Sequence, residues 1–451
     1  MMAQHFEIAI IGGGISGAAL FYELSKYTNA KKVALIEKYH ALSTLNSKGT
    51  SNSQTIHCGD IETNYTYEKA SKVKPNADMI INYGKLVNAQ DKFMFSHQKM
   101  ALAVGETECE FMEKRYEEFK NLYPYIRKFD KEEIKKIEPK VVEALGGGDR
   151  PEKIFAMGSL VGDTYTTVDY GKMSISLVEE AKKVRPDNEV FFNEEITSIY
   201  KKGDVFYIRS ISGNEFSANF VVVDAGAHSL FLAHKMGYGH DYACLPVAGS
   251  FYLTKKHLLN GKVYMVQNPK LPFAALHGDP DILCDMNTRF GPTALALPKL
   301  ERYHGLKSLP EFFKTLRLDS AVMKILFDLM KDSTIRNYIL RNFLFEVPGL
   351  NKGLFVKDAR KIVPSLTTDD ITYAKGFGGV RPQVLNKTEK KLMLGEASIV
   401  PENQGIIFNM TPSPGATSCM GNALRDLKLA VNYLKLEFNE ELFNKELRAD
   451  V

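Results

Sequence analysis

The chain lacks several features, and each absence narrows what it can be. Its 451 residues hold five cysteines, Cys58, Cys109, Cys244, Cys284 and Cys419, with no C-x-x-C pair and no closely spaced histidine partner. An odd, scattered set argues against a disulfide framework and against a zinc site, so no metal role is expected and the compartment reads as reduced and cytoplasmic. No uninterrupted apolar stretch reaches the roughly 18–20 residues that span a bilayer. The opening, MMAQHFEIAIIGGG, has no Lys or Arg before its apolar run and is broken by glycines, unlike a secretory leader. An excess of one charge is missing as well. Lys and Arg number 58 against 54 Asp and Glu, a net +4. That is too weak to argue for nucleic acid, though it suits loose attachment to an anionic membrane surface. Internal repeats and low-complexity linkers are also absent.

The chain does have an ordinary globular composition, 44% hydrophobic and 25% charged, and length for two or three domains. The clearest stretch is the first. Phe6–Ile11 is an apolar run suited to a buried strand, Gly12-Gly-Gly14-Ile-Ser-Gly17 follows, Ala18–Ser25 reads as a helix, and Val33–Glu37 as a second strand. A lone G-x-G-x-x-G is weak evidence, but here it sits between strand and helix, and Glu37 lies 20 residues beyond Gly17. Gly12 allows the tight turn, Gly14 lets backbone approach a diphosphate, and Gly17 lets helix and strand pack closely. The helix N-terminus then offers free N–H groups and a positive dipole end to the phosphates. Glu37 accepts hydrogen bonds from ribose hydroxyls and repels a 2′-phosphate. No second fingerprint follows a later strand, since Gly146–Gly148 runs into Asp-Arg-Pro. A second loop, Thr411–Thr417, feeds a helix near the other end of the chain. Both ends converging on one long ligand suits FAD better than NAD.

Beyond that unit, 43–66 is polar and irregular, and 67–140 reads as largely helical, with a solvated face over 108–120. Residues 145–149 form a turn and a plausible domain crossing. A helix is expected near 170–184, strands at Val190, Val205 and Phe220–Gly226, an antiparallel sheet over 246–300, helices over 309–346, and a last helix over 421–436.

Longer motifs then carry a resemblance. Ile11–Gly17, Asn52–His57, Glu62–Thr66, Val221–Gly226, Pro246–Phe251, Val266–Phe273, His277–Pro280, Arg289–Thr293, Val380–Gln383 and Ser413–Thr417 together are similar to the malate:quinone oxidoreductases. These belong with glycine oxidase and 2-hydroxyglutarate dehydrogenase in a wider group of FAD enzymes. One departure is Ser53-Gln-Thr-Ile-His57, where many members carry Ala-Gly-Thr-Gly-His. The resemblance implies an α/β fold: a Rossmann-like FAD-binding domain from 1–85, 165–230 and 375–451, and an α+β substrate domain on a mostly antiparallel sheet from 86–164 and 231–374. It implies FAD contacts at Gly12, Gly14, Ser16, Gly17, Glu37, Lys38, Asn52, Ser53, Gln54, Thr55, Ile196, Ala225, Gly226, Ser413, Gly415, Ala416 and Thr417. It also implies oxidation of malate to oxaloacetate with a quinone as acceptor, by a cytoplasmic protein attached peripherally to the inner face of the cytoplasmic membrane.

Such a reaction removes a hydride from C2 while the hydroxyl loses its proton, so it needs a base poised near neutral pH and cations for the carboxylates. His277 is the first candidate base, and its alternative is a histidine satisfied by Asp279. His57 is the rival, or a ligand of substrate or flavin. Arg381, in Gly378-Gly-Val-Arg-Pro382, is the first candidate clamp, and Arg289 is either a second clamp or a sheet-edge ion pair. The basic, apolar stretch from Ser320 to Phe345 reads either as core-packed helices with a solvated face or as a membrane contact through which quinone arrives. Alternative functions are a dehydrogenase or oxidase of lactate, 2-hydroxyglutarate or an amino acid, an NAD-dependent dehydrogenase, and a non-catalytic FAD-binding scaffold.

Overall fold

In the computed structural model, which describes residues 4–268, 271, 275–393, 395–412 and 414–449, the first strand runs up the centre of an eight-stranded sheet. This strand, β1 (Gln4–Ile11), pairs in parallel with Glu215–Val223 on one side and with β2 (Val33–Ile36) on the other. Ile406–Met410 extends the sheet beyond Glu215–Val223, and Glu189–Phe191 beyond β2, both in parallel. The near-continuous apolar runs of these strands reflect burial on both faces. Between β1 and β2 lies helix α1 (Ile15–Tyr27), whose Leu20, Phe21 and Leu24 are wholly buried against the helices Tyr170–Val184 and Cys419–Leu434. Each such side chain contributes about 1.5–3 kcal/mol.

A second eight-stranded sheet takes the order Ile371–Tyr373, Tyr252–Thr254, Thr288–Gly291, His277–Pro280, Lys262–Met265, Lys99–Val104, Ile154–Ser159, Arg127–Phe129. It is antiparallel except where Lys262–Met265 runs beside Lys99–Val104. A four-stranded sheet pairs Tyr242–Ala248 with Val380–Asn386 and joins segments far apart in sequence. The architecture is therefore α/β, with a Rossmann-like parallel sheet beside a mostly antiparallel one.

Most expected elements are present, including Tyr170–Val184 and the helices of 309–344. Residues 67–140 are largely helical as expected, in Tyr67–Leu86, Glu106–Phe119 and Lys131–Ile137, but the inner strand Lys99–Val104 and the edge strand Arg127–Phe129 interrupt the helices. Lys, Met, Ala and Leu favour helix by propensity, but hydrogen-bonding partners along both edges of Lys99–Val104 override that weak preference. The described residues also carry helices that were not expected, Ala227–Lys235, Asn351–Ala359 and, after Cys419–Leu434, Glu440–Leu447. Within the sheet expected over 246–300, residues 269–270 and 272–274 lie outside the described set, and the strand that follows begins at His277. Among the described residues no helix is long and apolar enough to cross a membrane.

Candidate active site

One cavity begins at the glycine turn after β1. Its wall takes Gly12, Gly14 and Ser16 from the turn and the start of α1, Glu37 and Lys38 from the end of β2, and Ile196, Ala225 and Gly226 from the strand ends beside them. A Cβ at Gly12 would sit 2.3 Å from the Asp224 carbonyl oxygen, at a φ of +119° that other residues rarely adopt. At Gly17 a Cβ would lie 2.0 Å from the Gly12 carbonyl oxygen, so this glycine packs the helix onto the turn and does not line the cavity. Gly14, with no capping side chain, heads α1, and Ser47 Oγ accepts from the Ile15 amide at 2.9 Å.

The Glu37 carboxylate accepts from the amides of Gly13 (2.6 Å) and Tyr39 (2.8 Å). Burial raises its pKa, against the pull of those two amides. Lys38 is held by Glu301 at 2.9 Å and Glu195 at 3.1 Å, so its charge is spent within the protein. A glycine cradle at a helix N-terminus with an acid at the end of the second strand fits a dinucleotide whose ribose is unphosphorylated.

The same cavity continues past Asn52, Ser53 and Thr55 to His57, His277 and Arg381, and is closed on another side by Gly415 and Ala416. His57 Nδ1 lies 2.7 Å from Glu62 Oε1 and its Nε2 lies 3.1 Å from Ser53 Oγ. Burial opposes ionisation of Glu62, yet the His57 contact and the Lys99 charge hold its carboxyl below the usual range. The imidazole of His277 is only 1% exposed and stacks on Tyr264, with ring centres 4.2 Å apart. Burial lowers its pKa despite the Asp279 carboxylate beside it, so the ring is neutral around pH 7. Arg381 is half-buried on the wall, and among the described residues no carboxylate stands within ion-pair distance of its guanidinium.

Three more expected contacts lie off the wall. Arg289 is fully buried behind the wall, bonded to Asp279 (3.0 Å) and paired with Asp281 (2.9 Å). Its charge is thus committed, which corrects the reading of it as a substrate clamp. Gln54 turns inward at a φ of +53°, and its amide donates to Gly49 O and Asp281 Oδ1 at 3.1 Å each. Thr417 stands just behind the wall, its Oγ1 accepting from the His57 amide at 3.1 Å. Ser413 lies outside the described residues. Sequence reasoning missed Asn46, Tyr170, Glu194, Phe251 and Glu301 on the wall. Asn46 alone carried a usable signal, since it lies in the polar stretch 43–66 that had no core periodicity.

A sequence model of the malate:quinone oxidoreductase family matches residues 4–447. The chain belongs to that family. It is 68% identical over 450 residues to a probable malate:quinone oxidoreductase of Campylobacter jejuni, covering 99% of this chain and 100% of that one. It is 50% identical over 447 residues to the malate:quinone oxidoreductase of Helicobacter pylori, covering 99% and 98%. Among solved structures it resembles the L-α-glycerophosphate oxidase of Mycoplasma pneumoniae with FAD bound (TM-score 0.64, 20% identity, 96% of each chain). It also resembles the glycine oxidase of Geobacillus kaustophilus (TM-score 0.64, 16% identity, 95% of each chain). Those two likenesses are likenesses of fold.

Proposed function

We infer that the chain oxidises malate to oxaloacetate and delivers the electrons to a quinone, with FAD as its cofactor. The observation that carries this reading is one continuous wall joining the dinucleotide cradle to His57, His277 and Arg381 in a chain that belongs to the malate:quinone oxidoreductase family end to end. The segments 1–85, 165–230 and 375–451 act as the FAD-binding domain, and 86–164 with 231–374 as the substrate domain. Val380–Asn386 ties the two through its pairing with Tyr242–Ala248.

Held along Gly12, Gly14, Glu37 and Ala225, FAD would supply the two-electron redox chemistry between the acid and the quinone. Arg381 pairs a substrate carboxylate, since its planar fork matches one bidentately and nothing else on the wall claims it. His277 removes the hydroxyl proton, being neutral at working pH and buried enough to exclude competing water. His57, fixed by Glu62 and Ser53, orients the Ser53 hydroxyl on the ligand side of the wall.

Quinone reaches the protein at an anionic membrane face. The helices Ser320–Lys331 and Ser333–Leu344 support this, because they turn Met323, Phe327, Leu340 and Phe343 outward, each more than half exposed, among Lys324, Lys331 and Arg336. An apolar stripe with a cationic rim is what binds such a surface. Flotation with anionic vesicles at low salt tests the docking, and a protein that stays unbound counts against it.

The reaction is tested anaerobically on the purified protein. Malate bleaches a flavin spectrum and a soluble quinone restores it. A flavin spectrum that malate leaves intact, but that lactate or 2-hydroxyglutarate bleaches, overturns the choice of substrate.

A further inference from the structure

Behind His277 the second sheet buries more charge than its packing requires. Lys262, Asp279, Asp281 and Arg289 are all fully buried. Asp279 Oδ2 accepts from Arg289 Nη2 at 3.0 Å and lies 3.6 Å from Lys262 Nζ. Its other oxygen, Oδ1, lies 3.3 Å from His277 Nε2, and among the described residues neither of those two atoms has a hydrogen-bond partner. Two orphaned polar atoms facing each other in a dry interior are costly, and costly arrangements persist where the site uses them. Lys262 also donates to the Ser53 carbonyl at 3.3 Å, one residue's reach from the hydroxyl that holds His57.

The neighbours of His277 define its electrostatics. They are Asp279 on its own strand, Lys262 and Tyr264 from Lys262–Met265, and Arg289 from Thr288–Gly291. One carboxylate and two cations therefore act on the ring, in opposite directions. Burial then keeps the imidazole uncharged, and Lys262 and Arg289 reinforce this while Asp279 opposes it.

We propose that Asp279 and Lys262 are positioning residues for the oxidation, set against each other so that His277 is neutral before the reaction yet can hold a proton after it. In this arrangement the neutral ring carries its proton on Nε2, facing Asp279, and takes the hydroxyl proton on Nδ1. The Nε2–H bond to Asp279 then shortens as the ring becomes charged, and Lys262 opposes early protonation. Hydrogen bonds of this kind are often long in the resting protein and tighten with substrate. Arg289 anchors Asp279 by occupying its second oxygen. The proposal rests on the reading of His277 as the base.

The test is the pH profile of kcat/KM for malate with a soluble quinone, on flavin-loaded enzyme. Asp279→Asn removes the charge that favours imidazolium, so the acid limb should move down by about one pH unit and kcat should fall more than KM rises. Lys262→Met removes the opposing charge, so the limb should move up by about one unit. Opposite shifts from two neighbouring residues are not what a merely structural role produces. Lys262→Met also decides the matter alone if Asp279→Asn does not fold. Limbs that stay in place in the folded variants, or that shift in one direction for both, overturn the proposal. His277→Gln separates the two levels. If it reduces its flavin at near-normal rate, the reading of the base has failed. If it is inactive while the limbs stay in place, only the present inference has.

Discussion

From Gly12 to Glu37 the cavity wall comes from a single contiguous segment of backbone, small and apolar side chains and Glu37, with Asp224 beside it. At its other end the wall gathers His57, His277 and Arg381 from three distant places and rests on ion pairs buried in the second sheet. The first end is defined by the space that side chains leave open. The second is defined by charges held in place. One end therefore tolerates almost no added atoms, while the other tolerates almost no change of charge.

The largest effect should come from adding a single methyl at the first end. Gly12→Ala places a Cβ against the Asp224 carbonyl at a backbone angle alanine resists, so the purified protein should contain no flavin, as its visible spectrum would report. At the second end, His277→Gln should keep the flavin and lose turnover by about 10²–10⁴-fold, checked by stopped-flow reduction with malate. Lys99→Met probes the buried charges nearby. Lys99 and Asp60 are both wholly buried and 2.8 Å apart, so the variant leaves an unpaired carboxylate and should lose about 3–5 kcal/mol in urea unfolding.

The smallest effect should come from pH at the first end. Burial, with Asp426 adding repulsion, raises the Asp224 carboxyl to about 7. Asp224 lines the cavity, so it is neutral below that value and negative above it. Fluorescence titration of the flavin-free protein should then show weaker FAD binding at pH 8 than at pH 6, and Asp224→Asn should remove the difference. A wild-type affinity that does not change with pH would break the comparison at this end.

The same contrast explains what was legible in the sequence. The turn after β1 could be read because its spacing, strand, helix and acid all lie within 34 residues, from Gln4 to Glu37. His57, His277 and Arg381 could be named as residue types suited to the chemistry, and the cavity does bring them together. Asp279 could be offered beside His277, but Glu62 and Ser53 around His57 could not. Whether Arg289 faces a substrate or Asp279 depends on which strands neighbour it, and no local pattern encodes that. Lys99–Val104 was missed for the same reason, since its strand state is imposed by neighbours 50 and 160 residues away.

The loop at Gly415 and Ala416 closes a cavity whose opposite wall is made by residue 12. Further along, Tyr27 donates to Glu446, and Asn82 donates to the carbonyls of Leu447 and Ala449. During synthesis the glycine cradle emerges about 400 residues before the loop that closes the other side of its cavity, so a chain that stops short of Gly415 has that cavity open on one side.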